Sequence, residues 1–263
     1  MKEPRIYPTQ VSRVDLDQGS LIVLRDDLLP GGTKQRACVP FLEDRIAGGD
    51  RRFVYASPFA GFAQVALALA CRELGVECRI FAEEDKTALL PGCPHPFTAI
   101  AANAGAEVKI VKTLNVAEEQ AQQYARESAS NHIPLGFAHE AFRERFRTVL
   151  ARCWEEILAK TRAPIRRVWV PVGSGTIASC LRAVLPDEIE LLLVNVKVLG
   201  DQDPRIQKLL SLPIVCYHST EEEFHQPARI LPPLPSNTHY DAKLRRLIRM
   251  NALANDLWWN VAR

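Results

Sequence analysis

From residue 51 onward the chain alternates short β-rich runs with longer helical ones, and that alternation does most to limit its fold. Arg52 to Ser57 (RFVYAS) reads as a strand, Gly61 to Leu74 as a helix and Glu77 to Glu83 as a strand. After the breaker cluster LLPGCPHP, Pro96 to Ala104 reads as a helix. Glu107 to Val111 and Ile133 to Phe137 follow as strands around a helix from Ala117 to Glu127, and a long helix runs from His139 to about Lys160. Arg167 to Val172 (RVWVPV) and Leu191 to Val198 have the continuous apolar character of buried strands, with the turn GSGT and a helix from Ile177 to Val184 between them. A βαβα order of this kind predicts an α/β protein whose parallel sheets carry helices on both faces.

Beyond Asp201 the order weakens. Proline-rich breaks separate a short helix, the strand IVCYH, a helix from Asp241 to Met250 and a final apolar run LWWNV. The simplest expectation for this region is loops and edge elements closing the larger lobe, with Trp258 and Trp259 as a core or interface anchor.

The 263 residues suffice for one large domain or two lobes. With 47% apolar and 24% charged residues, the composition is that of an ordinary globular protein and excludes a disordered one. A formal net charge of +2 does not amount to a nucleic-acid footprint. The local exception is Lys243, Arg245, Arg246 and Arg249, first read as a solvated helix face. Seven widely spaced cysteines without Cys-x-x-Cys or zinc-type Cys/His spacing read as reduced core residues, with no metal site. The N-terminal MKEPRIYPTQ lacks an apolar signal region, and no run approaches the roughly 18 apolar residues of a membrane span. A cytoplasmic location is therefore expected.

Two local motifs carry chemistry. Gly173-Ser174-Gly175-Thr176 joins a buried strand to a helix, so the glycines allow a tight turn while backbone N–H groups and hydroxyls converge on one spot suited to a phosphate. No Gly-Lys-Ser/Thr follows, which excludes a Walker loop, and the dinucleotide fingerprint lacks its third glycine. The second motif, Leu29-Pro30-Gly31-Gly32-Thr33-Lys34-Gln35-Arg36-Ala37, puts a lysine in the first turn of a helix, where the macrodipole favours an anion. A positive helix end disfavours the ammonium and so favours the neutral, nucleophilic amine. A phosphate cradle and a reactive lysine together suit a phosphorylated aldehyde, held at one end by the loop and at the other by a Schiff base.

The run Arg25-Asp26-Asp27-Leu28-Leu29-Pro30-Gly31-Gly32-Thr33-Lys34-Gln35-Arg36 resembles the Schiff-base segment of the tryptophan synthase β-like, or fold type II, pyridoxal-phosphate enzymes. The nearest pattern is that of aminocyclopropane-carboxylate deaminase and D-cysteine desulfhydrase relatives, "R-x-D-L-x-P-G-G-N-K-x-R-K". The stretch YASPFAGFAQVALALACRELG is similar to the family's "Ser-x-Gly-Asn-x-x-Gln-Ala-x-A" loop, and Gly173 to Thr176 to its phosphate loop. The resemblance covers about residues 20 to 200 and departs in two places: Thr33 stands for the usual asparagine, and Gly61-Phe62-Ala63-Gln64 lacks the asparagine that meets the ring hydroxyl.

The resemblance implies a two-lobe fold, with residues 1–44 and 139–263 forming the large cofactor-binding lobe and 45–138 the small one. It implies pyridoxal 5′-phosphate held by Lys34, with Gly173, Ser174, Gly175 and Thr176 on its phosphate. Ser236, or next Thr238, would face the pyridine nitrogen. Ser57, Gln64, Arg36 and Tyr240 are candidates for the substrate side, although Asp241 and Tyr240 also fit a helix cap at that point. The expected activity is a lyase or deaminase acting at the α-carbon of a small amino acid; oligomeric state is left open between a monomer and the homodimer usual among family members. Compact relatives in bacteriophages open an alternative, decarboxylation of an amino acid attached to thymine in DNA, in the host cytoplasm; the basic segment 243 to 249 would then meet phosphates. A third expectation is a binding protein of the same fold without catalysis.

Overall fold

A computed structural model describes residues 7–17, 19–88, 90 and 92–263, so the start of the N-terminal stretch and two positions of the LLPGCPHP cluster, 89 and 91, lie outside the described residues. In chain order the strands are β1 (Val11–Leu16), β2 (Gly19–Arg25), β3 (Arg52–Ser57), β4 (Glu77–Glu83), β5 (Glu107–Val111), β6 (Asn131–Ile133), β7 (Arg167–Val172), β8 (Glu190–Asn195), β9 (Val215–Ser219) and β10 (Leu257–Asn260). The α-helices are α1 (Gln35–Ala47), α2 (Ala63–Leu74), α3 (Pro96–Asn103), α4 (Leu114–Ser128), α5 (Glu140–Thr161), α6 (Thr176–Arg182), α7 (Pro204–Leu210) and α8 (Leu244–Asn251). They fall into two compact units, one of residues 30–145 and the other of 7–29 with 146–263.

The 30–145 unit is built on a four-stranded sheet of order β5-β4-β3-β6, parallel throughout. Phe53 to Ser57 are all buried, as a central strand covered on both faces requires. The helices start and stop where local chemistry directs. His95 accepts the Phe97 N–H ahead of Pro96 at the start of α3, Thr113 Oγ1 accepts the Val116 N–H at the start of α4, and Gly75 ends α2 in a left-handed conformation.

The strand expected over Ile133 to Phe137 is displaced. β6 stops at Ile133 because Pro134 has no N–H to pair, and Leu135–Phe137 turns as a 3-10 segment whose Gly136 N–H donates to Tyr55 Oη at 3.2 Å. The junctions of this unit also differ from the expected 45 and 138. Helix α1 packs on α2, Phe41 meets His139 at a tilt and Phe142 edge to face, and Arg145 grips Asp44 through a two-pronged ion pair at 2.7 and 2.9 Å. Residues 30–44 and 139–145 therefore belong with this unit.

The other unit carries a six-stranded sheet of order β1-β2-β10-β7-β8-β9. The pair β1–β2 is antiparallel and the remaining neighbours are parallel. The last apolar run, expected at an edge, is the central strand β10, with Trp258 opposite Val23 on one side and Trp169 on the other. Both tryptophans are buried. Asp256 anchors this insertion by accepting from Trp169 Nε1 at 2.8 Å and from the Arg167 guanidinium at 3.0 and 2.7 Å.

No cysteine is bridged: Cys38, Cys71, Cys78, Cys153 and Cys180 are buried, Cys216 half-buried and Cys93 exposed. Among the described residues no helix is long and apolar enough to cross a membrane.

Candidate active site

The lysine loop is shaped by its two glycines. Gly32 has φ +64°, a left-handed value that glycine adopts without steric cost. Gly31 lies so close to α2 that a Cβ there would stand 2.8 Å from Ala66 Cα. Its N–H donates to Gln35 Oε1 at 2.5 Å, closing the loop on the first residue of α1. Lys34 sits one residue earlier than expected, just before the helix rather than in its first turn, and its carbonyl accepts the N–H groups of Ala37 and Cys38. From Gly31 to Val39 every residue is buried except Lys34, which is half-exposed. Arg36, one turn along, is buried.

The loop leaving β3 packs into the same unit. Ser57 is fully buried and its hydroxyl donates to the Pro58 carbonyl at 2.9 Å. A side chain at Gly61 would stand 2.7 Å from Ser57 Oγ, so the turn closes only on glycine. Gln64 Nε2 donates to the Gly61 carbonyl at 2.9 Å, while its Oε1 is buried without a hydrogen-bond partner. Ala66, two residues on, is the point against which Gly31 rests, so α2 carries both loops.

In the other unit, β7 runs directly into Gly173, and Gly175 takes φ +82° immediately before α6. The left-handed φ of Gly175 itself selects glycine, and a Cβ there would also press on Leu209 Cδ1 at 2.8 Å. Ser174 Oγ and Thr176 Oγ1 lie 3.5 Å apart on the turn. The helix's first intrahelical bond runs from Ser179 N–H to the Gly175 carbonyl, so the amides of the opening turn have no acceptor within the helix. The Tyr240 ring lies against this turn, and a Cβ on Gly173 would meet its Cε1 at 2.9 Å.

Of the residues expected near the pyridine nitrogen, Ser236 is half-buried with its hydroxyl donating to the Leu234 carbonyl at 3.3 Å, and Thr238 is exposed. Asp241 is not a helix cap. A 3-10 turn begins at Asp241 itself, and the carboxylate Oδ1 instead accepts the Val261 N–H, at 2.6 Å. Asp241 is fully buried, Oδ2 has no hydrogen-bond partner, and burial pushes the carboxyl well above the usual carboxylate range. Asn260 Oδ1 and Asn237 Nδ2 are likewise buried without partners. Sequence reading missed this group. The available signal was Asn260, a polar residue closing an apolar strand.

The basic segment is less basic than its sequence. Lys243 is buried with its ammonium donating to the Glu223 carbonyl at 2.8 Å, and Arg246 pairs with Glu221.

Two parallel α/β sheets, a lysine on a glycine-tightened loop and a glycine turn after a buried strand define the tryptophan synthase β-like, fold type II class. The chain belongs to the pyridoxal-phosphate dependent enzyme family, whose model matches residues 3–207. Among solved structures, it is similar to diaminopropionate ammonia lyase from Escherichia coli in apo form, at 15% identity and TM-score 0.72 over 99% of this chain and 84% of that one. An ACC deaminase homologue aligns at 17% identity and TM-score 0.74 over 99% and 90%. O-ureido-L-serine synthase aligns at 13% identity and TM-score 0.67 over 95% and 87%. No curated protein matches the sequence.

Proposed function

We propose that the chain is a pyridoxal-phosphate-dependent lyase or deaminase acting at the α-carbon of a small amino acid, with Lys34 as the covalent anchor. The observation that carries this reading is Lys34 itself, the one half-exposed residue in an otherwise buried run, presented by a loop with no room for side chains at Gly31. The residues present suit the cofactor: Gly173 and Gly175 leave a turn free of side-chain bulk for a phosphate, and the buried Gln64 Oε1 lacks a donor that a ring hydroxyl would supply.

Bound there, pyridoxal phosphate supplies an electron sink for charge developing at the α-carbon. Gly173, Ser174, Gly175 and Thr176 hold the phosphate with backbone amides and two hydroxyls. The Lys34 amine would be placed to remove or return a proton at the substrate's α-carbon. The loop after Ser57 takes the substrate carboxylate, with Ser57 bracing that loop through its bond to the Pro58 carbonyl, Arg36 supplies compensating positive charge, and Tyr240 stands beside the phosphate turn. That the similar structures include an ammonia lyase and a deaminase homologue supports the choice of reaction class.

The alternative substrate, an amino acid carried on DNA, drew on the basic segment, and two of its four cations are committed within the protein. We therefore put the free amino acid first.

The test is covalent capture. The protein incubated with pyridoxal phosphate should gain a visible absorbance band, and borohydride reduction followed by peptide mapping should find the cofactor on Lys34; Lys34→Ala should show neither. A protein that stays colourless and captures nothing is a binding protein of this fold. Mass spectrometry for loss of ammonia from small amino acids, against loss of carbon dioxide from amino-acid-modified DNA, separates the two enzyme readings.

A further inference from the structure

We infer that Asp241, rather than a hydroxyl, is the residue that meets the ring nitrogen of the cofactor; the assignment rests on the pyridoxal-phosphate reading above.

The placement comes from the six-stranded sheet alone. Strands β2, β10, β7, β8 and β9 run parallel, so their carboxyl ends share one edge, the edge at which open α/β sheets bind ligands. β7 ends there in the Gly173 turn, and β10 ends there at Asn260. The next amide, Val261 N–H, donates to Asp241 Oδ1 at 2.6 Å, and Tyr240, the neighbour of Asp241, packs its ring on Gly173. The buried carboxyl and the phosphate turn therefore occupy the same edge of the same sheet.

The chemistry comes from what is left unpaired. A buried polar atom without a partner is costly, more so when charged, and native proteins keep few of them. Asp241 Oδ2, Asn260 Oδ1 and Asn237 Nδ2 are three such atoms in one neighbourhood. Direct bonds tie that neighbourhood together: Asn260 Nδ2 donates to Pro235 O at 2.9 Å, and Asn237 N–H to Ala262 O at 2.8 Å. The amide orientations are fixed, because Asn237 Oδ1 accepts the His239 N–H at 2.9 Å and the Asn260 nitrogen is the atom facing a carbonyl.

Burial disfavours the Asp241 carboxylate, and Asp27, close enough to add to that effect, is itself held by the Arg25 guanidinium through two bonds of 2.8 Å. Against that, the backbone N–H groups of Val261, Ala262 and Asp241 itself favour the charged form, and Oδ2 is left buried without a protein partner. A protonated pyridine nitrogen set against Oδ2 would donate its N–H there, a charge-assisted hydrogen bond that supplies the missing partner and holds the proton on the ring. A hydroxyl in that position would leave the ring nitrogen neutral. Ser236 is a poor candidate, because its proton is already given to Leu234 O.

The experiment uses the holoenzyme loaded with pyridoxal phosphate carrying nitrogen-15 in the ring. Wild type and Ser236→Ala should both show the protonated-pyridinium resonance, and Asp241→Asn the neutral one. A neutral resonance in wild type, or its appearance in Ser236→Ala with Asp241→Asn unchanged, overturns the assignment. Should Asp241→Asn fail to fold, wild type alone decides through the analogue in which a C–H replaces the ring nitrogen. That analogue should bind about tenfold or more weakly than pyridoxal phosphate, as loss of a charged hydrogen bond implies; equal affinity overturns the assignment. If neither compound binds and Lys34 captures nothing, the cofactor reading itself fails, a result distinct from equal binding.

Discussion

The Tyr240 ring occupies the space a side chain on residue 173 would need, with Cε1 2.9 Å from where that Cβ would stand and Val198 Cγ2 3.3 Å away on another side. The phosphate turn is thus held to bare backbone by a residue almost seventy positions later in the chain. Gly173→Ala should push the ring or the turn aside, at about 1–3 kcal/mol for overpacking. Pyridoxal-phosphate affinity should fall by about tenfold or more, measured by absorbance titration. Gly173→Ala combined with Tyr240→Ala should recover part of that loss, since the second change removes the obstructing ring. A Gly173→Ala protein that binds as tightly as wild type would show that the turn does not hold the phosphate.

The two glycines before Lys34 should respond unequally. Gly32→Ala asks an L-residue to hold φ +64°, a backbone cost of about 1–2 kcal/mol. Gly31→Ala drives a Cβ to 2.8 Å from the Ala66 main chain, which cannot swing aside as a side chain can. Gly31→Ala should therefore lose more borohydride-fixed capture on Lys34 than Gly32→Ala. Equal losses would mean that the approach to α2 does not set the lysine's position.

What the sequence disclosed divides along physical lines. Strands β3, β4, β5 and β7 could be read directly because each is a short run closed by turn residues, and each has one pairing partner within a few tens of residues. β10 could not. Its meaning depends on parallel pairing with Ile22 to Arg25, more than two hundred positions away, and an LWWN run looks the same at an edge as at a centre. Within the site, Lys34 and the Gly173 turn carry local signatures, since glycine spacing records backbone conformation. Asp241 carries none. An aspartate ahead of a helix reads as a cap, and only the folded chain brings the Val261 amide to it and leaves its second oxygen unpaired.

The same long-range strand makes Asp256 a point of weakness. Asp256 is 2% exposed, and its carboxylate accepts from Trp169 Nε1, from Arg167 and from the Leu253 N–H at 3.1 Å, tying β10 to β7. Asp256→Ala would strand a half-buried guanidinium and a buried indole N–H. Unfolding free energy from urea titration should drop by about 3–5 kcal/mol, the range for breaking a buried pair by removing one partner. Asp256→Asn keeps an acceptor for the indole and should lose less. A drop within experimental error for Asp256→Ala would show that β10 is held by its tryptophans alone.

Lys243 gives a pH signature separate from the site's chemistry. Burial, the largest influence, pulls its ammonium down from 10.5 to about 8, against the opposing pull of Glu222 and Glu223. Below pH 8 the lysine is charged in both folded and unfolded chains, so its cost to stability is constant. Between about 8 and 10.5 the unfolded chain binds the proton that the folded chain has lost, and stability attributable to this residue rises with pH across that window. Lys243→Met removes the titrating group and keeps an unbranched apolar stem of similar reach. The difference in melting temperature, wild type minus Lys243→Met, should stay flat from pH 6 to about 7.5 and then climb towards pH 10. A difference that stays flat throughout would mean that Lys243 keeps an ordinary lysine's proton affinity. The ammonium would then be solvated rather than buried against the Glu223 carbonyl, and Lys243 would present its charge at the surface.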